Sequence, residues 1–299
     1  MTAKDRLYLA TYHVFKWLVT HTPEKIRFPI LRAISRFVWF VDKRHRRIAR
    51  VNLDLAFGDG MGSDEKERII KKSYEHLVFN LADALAHQDD TPEEVLARVT
   101  LVNRHYLDEA MKEGRPVVFI GAHYGNWEMI PRVFGAMFGP ATVVGRPLDS
   151  KAMDELLARH RNRFGIEVIP KKGAMRHLVA ALKKGRSVGL IVDQNTSEKD
   201  GILINFFGKK ARHTPAAAIL ARRFDLPVVP VFIQTDDHRH FTLTIHPPLY
   251  VEKSDDMEAD IAKNVQAQAD VTERVIREKP DEWFWQHKRW KNQYEELYR

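Results

Sequence analysis

Residues 121–128 read Gly-Ala-His-Tyr-Gly-Asn-Trp-Glu, which sets His123 ahead of the carboxylate of Glu128 in a turn bracketed by glycines. A neutral imidazole takes up a proton near neutral pH, and a carboxylate beside it fixes the tautomer and stabilises the imidazolium. No protein nucleophile accompanies the pair, so the chemistry it offers is direct acyl transfer. His123 would remove the proton of an acceptor hydroxyl as that oxygen attacks a thioester carbonyl, and Glu128 would hold the ring. The tetrahedral oxyanion would need donors from the turn N–H groups or a cation such as Arg146. The alternative is a structural turn histidine followed by an N-terminal helix charge, and His-x4-Glu alone does not separate the two.

The surrounding elements decide what these residues can reach. The β-branched run at 117–121 predicts a buried strand and 127–137 a helix, so His123 ends a strand and Glu128 begins a helix. Ligands of open α/β sheets bind at the carboxyl ends of strands, and a helix N-terminus there offers free N–H groups. Runs at 141–145, 166–169, 187–192 and 227–234 alternate with helical stretches near 150–164, 174–184 and 214–224. That alternation predicts an α/β fold, a mostly parallel central sheet flanked by helices. Residues 241–246 read as a late strand, antiparallel at an edge, and 257–279 as a long helix. Parallel strands would bring Arg146 and the pair Asp193-Gln194 to the edge that carries His123. Arg146 could hold an anion or an oxyanion, and Asp193, Gln194 and Asn126 join it as candidate substrate-binding residues. Taken singly, Arg146 also reads as a loop ion pair and Asp193 as a cap.

The chain has 299 residues, a net charge of +8 and no cysteine, which excludes disulfides, thiolate ligands and a cysteine nucleophile. Neither phosphate-loop pattern occurs, no metalloprotease spacing appears among the fourteen histidines, and no G-x-S-x-G elbow is present. The positive charge points to an anionic partner, an acidic protein, anionic lipid or nucleic acid. No helix-turn-helix, zinc-finger or ribonucleoprotein signature supports nucleic acid. No apolar run reaches 18 residues, and the first apolar segment lacks a signal-peptide cleavage pattern.

Residues 5–20 are apolar and aromatic but interrupted by charges. Across 29–51, Arg32, Arg36, Lys43, Arg47 and Arg50 fall within about 60° on a helix. Ile34, Phe37, Val38, Val41 and Ile48 gather opposite, and Trp39 borders the basic stripe. This predicts a basic amphipathic helix in a membrane surface, with Arg32, Arg36, Trp39, Lys43 and Arg47 in contact. The same geometry would serve a helix packed on the core. Residues 1–60 are therefore expected to be membrane-associating helices and 61–299 an α/β body, continuous with them.

Several blocks in order resemble the bacterial lipid A biosynthesis acyltransferases of the lauroyl/myristoyl type. They are the Arg50-x-Asn52-Leu-x-x-x-Phe57 segment, Ala122 to Glu128, Arg146 to Asp149, Gly189 to Gln194, Asn205 to Gly208 and Pro280 to Lys291. The resemblance implies that His123 and Glu128 are a catalytic dyad, and that Arg146 and Asp193 serve activity or substrate binding. It implies acyl transfer from acyl carrier protein to a hydroxyl of a Kdo-bearing lipid A precursor, without metal or organic cofactor. An acidic donor and an anionic glycolipid acceptor would account for the charge. The expected location is the cytoplasmic face of the bacterial inner membrane. The polar, interrupted N-terminus differs from the family's usual transmembrane helix and implies peripheral or monotopic attachment. The rival expectations are the same chemistry on a phospholipid, another glycolipid or an aminolipid, or a non-catalytic anionic-membrane-binding protein.

Overall fold

The structure is a computed structural model that describes residues 3–145 and 150–299. Two helices open it, α1 (Ala3–His21) and α2 (Glu24–Val41), separated at Pro23. Asp42 then ends α2 and caps α3 (Lys43–Phe57) by accepting from the His45 N–H. The basic stripe expected as one helix over 29–51 is therefore divided between two. A short polar side chain able to bond a backbone N–H two or three residues on interrupts what charge periodicity reads as continuous. Next come α4 (Ser63–Ala86), with Asp64 and Glu65 in its first turn, and α5 (Pro92–Ala97), closed by a Thr91/Glu94 capping box.

The body follows as β1 (Val99–Val102), α6 (His105–Ala110), β2 (Val118–Gly121), α7 (Met129–Phe138), β3 (Ala141–Gly145), α8 (Lys151–Asn162) and β4 (Ile166–Pro170). It continues with α9 (Ala174–Lys183), β5 (Ser187–Ile191), the hairpin β6 (Ile202–Phe206) and β7 (Lys209–His213), and α10 (Ala216–Phe224). β8 (Val228–Gln234), β9 (Phe241–Ile245) and α11 (Met257–Glu278) complete it.

Seven strands form the main sheet in the order β1-β9-β8-β2-β5-β3-β4. β8, β2, β5, β3 and β4 run parallel. β9 is antiparallel to β8, as its position late in the chain suggests, but it is not an edge strand: β1 pairs outside it. β1 and β6 are apolar but only four and five residues long, and β7 is mostly cationic, so none stands out by periodicity.

One face of the sheet packs Phe119, Ile166, Val229 and Val231 against Ile130, Val133 and Phe134 of α7. The other packs Val118, Val188 and Val228 against Leu178, Leu182 and Leu220 of α9 and α10. A third core joins Leu53 of α3, Ile69 of α4 and Val265 of α11 to Trp283, Trp285 and Trp290 of the tail. The α3 segment thus contributes its buried face to the body.

Asn52 staples that third core. Its amide donates to the carbonyls of Trp285 and His287, each at 2.6 Å, and its oxygen accepts from Tyr298. The side chain is fully buried, so removing it strands polar groups without water. Asn52→Ala should lower unfolding stability by about 3 kcal/mol, read from urea denaturation. It should also loosen the tail near His123, read from hydrogen exchange at residues 283–287.

Candidate functional site

β2 and β5 are neighbours in parallel register, with Gly121 opposite Ile191, so the residues just past their carboxyl ends meet. His123 and Asp193 meet there: the imidazole Nδ1 lies 2.9 Å from Asp193 Oδ1, and the His123 backbone N–H donates to Oδ2 at 3.0 Å. The Trp283 indole N–H donates to the same Oδ2 at 2.8 Å. Asp193 is almost wholly buried, and its lone pairs are met by three N–H groups from two chain segments.

Burial alone would push the Asp193 pKa up. The His123 imidazole, by charge and hydrogen bond, together with the Trp283 and backbone donors, holds the carboxyl below its usual range. The reciprocal effect acts on His123. Burial pushes its imidazole down, and the charge and hydrogen bond of Asp193, then the charge of Glu128, outweigh it and leave the pKa raised. Nδ1–H toward Asp193 leaves the lone pair on Nε2, which faces the exposed Gln194 amide at 3.4 Å.

The carboxylate that holds the ring is therefore Asp193. Glu128 instead accepts from Arg161 at 2.8 Å, half-exposed, and acts on His123 only through its charge. A five-residue separation places Glu128 at the start of α7, which carries its side chain toward α8. Asn126 is likewise turned inward: its buried amide donates to Asp83 of α4 at 2.8 Å. Gln194 stays at the mouth of the site. Arg146 lies outside the described residues.

The turn itself is over-determined. Gly125 has φ +56°, and a Cβ there would stand 1.7 Å from the Ile233 carbonyl oxygen, which leaves room for glycine alone. Its carbonyl accepts from Asn80 and its N–H donates to the Glu282 carbonyl. The N–H groups of Asn126, Trp127 and Glu128 have no protein acceptor among the described residues and remain as candidate oxyanion donors.

Sequence reasoning missed the tail as part of the site. Tyr124 bridges to Trp283, and the Phe284 N–H donates to the His123 carbonyl at 2.9 Å. Arg289 is fully buried beside His213, and burial pushes its guanidinium down to about 10 while the Asp193 charge opposes that. Its signals in the sequence are the crowding of tryptophans and cations at 283–291 and the family-like block from Pro280 to Lys291, and neither names a partner.

Past Trp127, whose ring packs edge-on to the His123 imidazole, a cavity of about 290 Å³ opens on the α7 side of the sheet. Phe119, Ile130, Val143, Val168 and Ile191 line it, and Glu128 and Arg161 stand at its polar end. Among the described residues, no group of three His, Asp or Glu side chains could hold a metal ion.

At the N-terminus, Trp39 is turned onto the body. Its indole donates to Glu67 and its ring lies under Arg46 and Lys71, each 4.6 Å from the centroid. Arg32 reaches within 3.6 Å of Glu75, while Arg36, Lys43 and Arg47 are exposed. Val38 and Ile48 pack into the core. The exposed apolar stripe of α2 is instead Ile26, Ile30, Ile34, Phe37, Phe40 and Val41.

A buried carboxylate behind an imidazole, at a strand-end edge near an apolar cavity, is an arrangement able to do general-base chemistry. The chain belongs to the bacterial lipid A biosynthesis acyltransferase family, whose profile matches residues 4–292. It is 25% identical over 278 residues to the lipid A biosynthesis lauroyltransferase of Escherichia coli K12, covering 92% of this chain and 88% of that one. It is 26% identical over 251 residues to the palmitoleoyltransferase of the same organism, covering 83% and 79%. It is also 24% identical over 197 residues to the phosphatidylinositol mannoside acyltransferase of Mycolicibacterium smegmatis, covering 64% and 62%.

Asp193→Asn removes the interaction that raises the His123 pKa and leaves the opposing effect of burial. The acid limb of the kcat/KM profile for thioester consumption should therefore move to lower pH, while the plateau falls at least 100-fold, on the order expected for a misoriented base.

Proposed function

We propose that this chain is an O-acyltransferase that moves a fatty acyl group from acyl carrier protein to a hydroxyl of a Kdo-bearing lipid A precursor. The observation that carries the reading is the Asp193–His123 pair near the apolar cavity in a chain of this family. His123 Nε2 takes the acceptor hydroxyl proton as the oxygen attacks the thioester carbonyl. The tetrahedral intermediate collapses, the C–S bond breaks, and the proton passes from Nε2 to the departing thiolate. Asp193 stays ionised throughout and steadies the imidazolium. Glu128 contributes negative charge and, through Arg161, orders the polar end of the cavity, where the acyl chain would lie. No metal or organic cofactor enters this mechanism.

Attachment to the cytoplasmic face of the inner membrane is part of the proposal. Leu7, Phe15 and Trp17 of α1 are exposed, and so is the apolar stripe of α2, which supports attachment at a lipid interface. Arg36, Lys43 and Arg47 supply cations for anionic headgroups. Among the described residues no helix is long and apolar enough to cross a membrane, which suits a peripheral or monotopic arrangement. The mycobacterial relative, named for a mannosylated phosphatidylinositol, favours a second reading in which the same chemistry serves another lipid acceptor.

With acyl carrier protein thioesters and the Kdo-bearing precursor, mass spectrometry should show one added acyl chain. His123→Ala should reduce its formation by about 10²–10⁴-fold, the usual worth of a general base. Transfer to a phospholipid alone would select the second reading. Phe37→Glu combined with Phe40→Glu should abolish co-sedimentation with phosphatidylglycerol vesicles while leaving the thermal transition in place.

A further inference from the structure

A second cleft opens at the carboxyl end of β8, the strand that flanks β2 on the side away from β5. It holds about 280 Å³ between α2, α4 and the 235–240 loop. Its floor is apolar, made by Phe28, Leu31 and Phe79, and its rim carries Arg27, Arg98 and Arg239. His87, His238 and His240 add donors.

The loop that presents these groups is held rigidly. Thr235 Oγ1 accepts from the His238 N–H and donates to the His240 carbonyl. Asp237 Oδ1 accepts from the N–H groups of Arg239 and His240, each at 2.8 Å. His238 takes φ +59°, a left-handed conformation that costs a non-glycine residue energy, and stacks on Phe79 with centroids 3.9 Å apart. Such strain persists only where surrounding bonds over-determine it.

The lining contains two acids, and both are already engaged. Glu24 accepts from Arg239 at 2.7 Å and lies 3.5 Å from Arg27. Asp83 takes Arg98 with one oxygen and Asn126 of the catalytic turn with the other. Arg98 Nη1 remains buried without a hydrogen-bond partner, 3.9 Å from Asp90. An entering anion would meet the Arg98 Nη1, which Asp90 approaches only to 3.9 Å, and the N–H groups that Arg27 and Arg239 do not give to Glu24 or to the Val19 carbonyl. Planar guanidinium forks match phosphate oxygens in pairs. The outer face of the helix that forms one wall is the exposed apolar stripe of α2, so a lipid anchored there brings its polar head to this cleft.

We propose that this cleft is an anion subsite that takes a phosphate group on the polar head of the acceptor lipid, while the acceptor hydroxyl sits at His123. The inference rests on the acyl-transfer reading and adds a recognition element to it. Asp83 and Asn126 link the cleft wall to the catalytic turn, so the two sites share one edge of the sheet.

The test compares a phosphorylated diacyl glucosamine with its phosphate-free parent as acceptors in mixed micelles. The wild-type enzyme should show a KM about tenfold lower for the phosphorylated lipid, with similar kcat. Arg239→Gln, at a half-exposed position that should fold, and Arg98→Gln should each erase that preference, and Arg239→Lys should restore part of it. Inorganic phosphate should compete only against the phosphorylated lipid. Equal KM values in the wild type, or a preference that survives both substitutions, would overturn the subsite. So would inorganic phosphate that inhibits both lipids equally. If the wild type consumed no thioester at all, the acyl-transfer reading would fail instead. The subsite would then stand or fall on the His238 ring signals in NMR. They should shift with glucosamine 1-phosphate in the wild type and stay still in Arg239→Gln, and no wild-type shift would overturn it.

Discussion

A single buried carboxylate organises this protein. Asp193 is lifted to the end of β5 and sealed from water, which would be costly for an anion without donors. Three N–H groups meet it, two from His123 and one from Trp283, so the carboxylate is stable only when the β2 turn and the tail are both in place. Much of the remaining architecture serves that meeting. Asn52 pins the tail to α3, the Glu282 carbonyl takes the Gly125 N–H, and the Phe284 N–H takes the His123 carbonyl. Behind them Arg289 supplies a fully buried positive charge. His213, pushed down to about 3 by burial and by that same guanidinium, stays neutral beside it.

This arrangement separates two tasks that an exposed imidazole could not combine. The buried side of the ring, Nδ1, is fixed by charge and geometry. The outer side, Nε2, faces the exposed Gln194 amide. The apolar cavity beside β2 and β3 and the cationic cleft beyond β8 lie on either side of this ring along one edge of the sheet. In the proposed reaction an acyl chain and a charged acceptor head would therefore approach His123 from opposite directions.

The sheet was legible in the residues because β-branched runs at 117–121, 141–145, 187–192 and 227–234 alternate with amphipathic stretches. A parallel sheet buried on both faces writes that pattern strongly. The convergence of His123 and Asp193 followed from it, since parallel strands share a carboxyl edge. Which carboxylate holds the ring did not follow. Glu128 is near in sequence but is carried away by the first turn of α7. Asp193 lies 70 positions on and comes close only through the β2–β5 pairing. Trp283 has no local signature either, since its role depends on a tail that folds back across the sheet edge. The break at Asp42 shows the limit from the other side. Charge periodicity ran on through a residue whose side chain ends one helix and caps the next.

The central claim is that Asp193, and not Glu128, sets the state of the His123 imidazole. Nitrogen-15 NMR of histidine-labelled protein, with the signal assigned by His123→Gln, reads that state directly. The account predicts a neutral ring protonated at Nδ1, a tautomer lost in Asp193→Asn and kept in Glu128→Gln. A ring protonated at Nε2, or one indifferent to Asp193 and altered by Glu128→Gln, would contradict it.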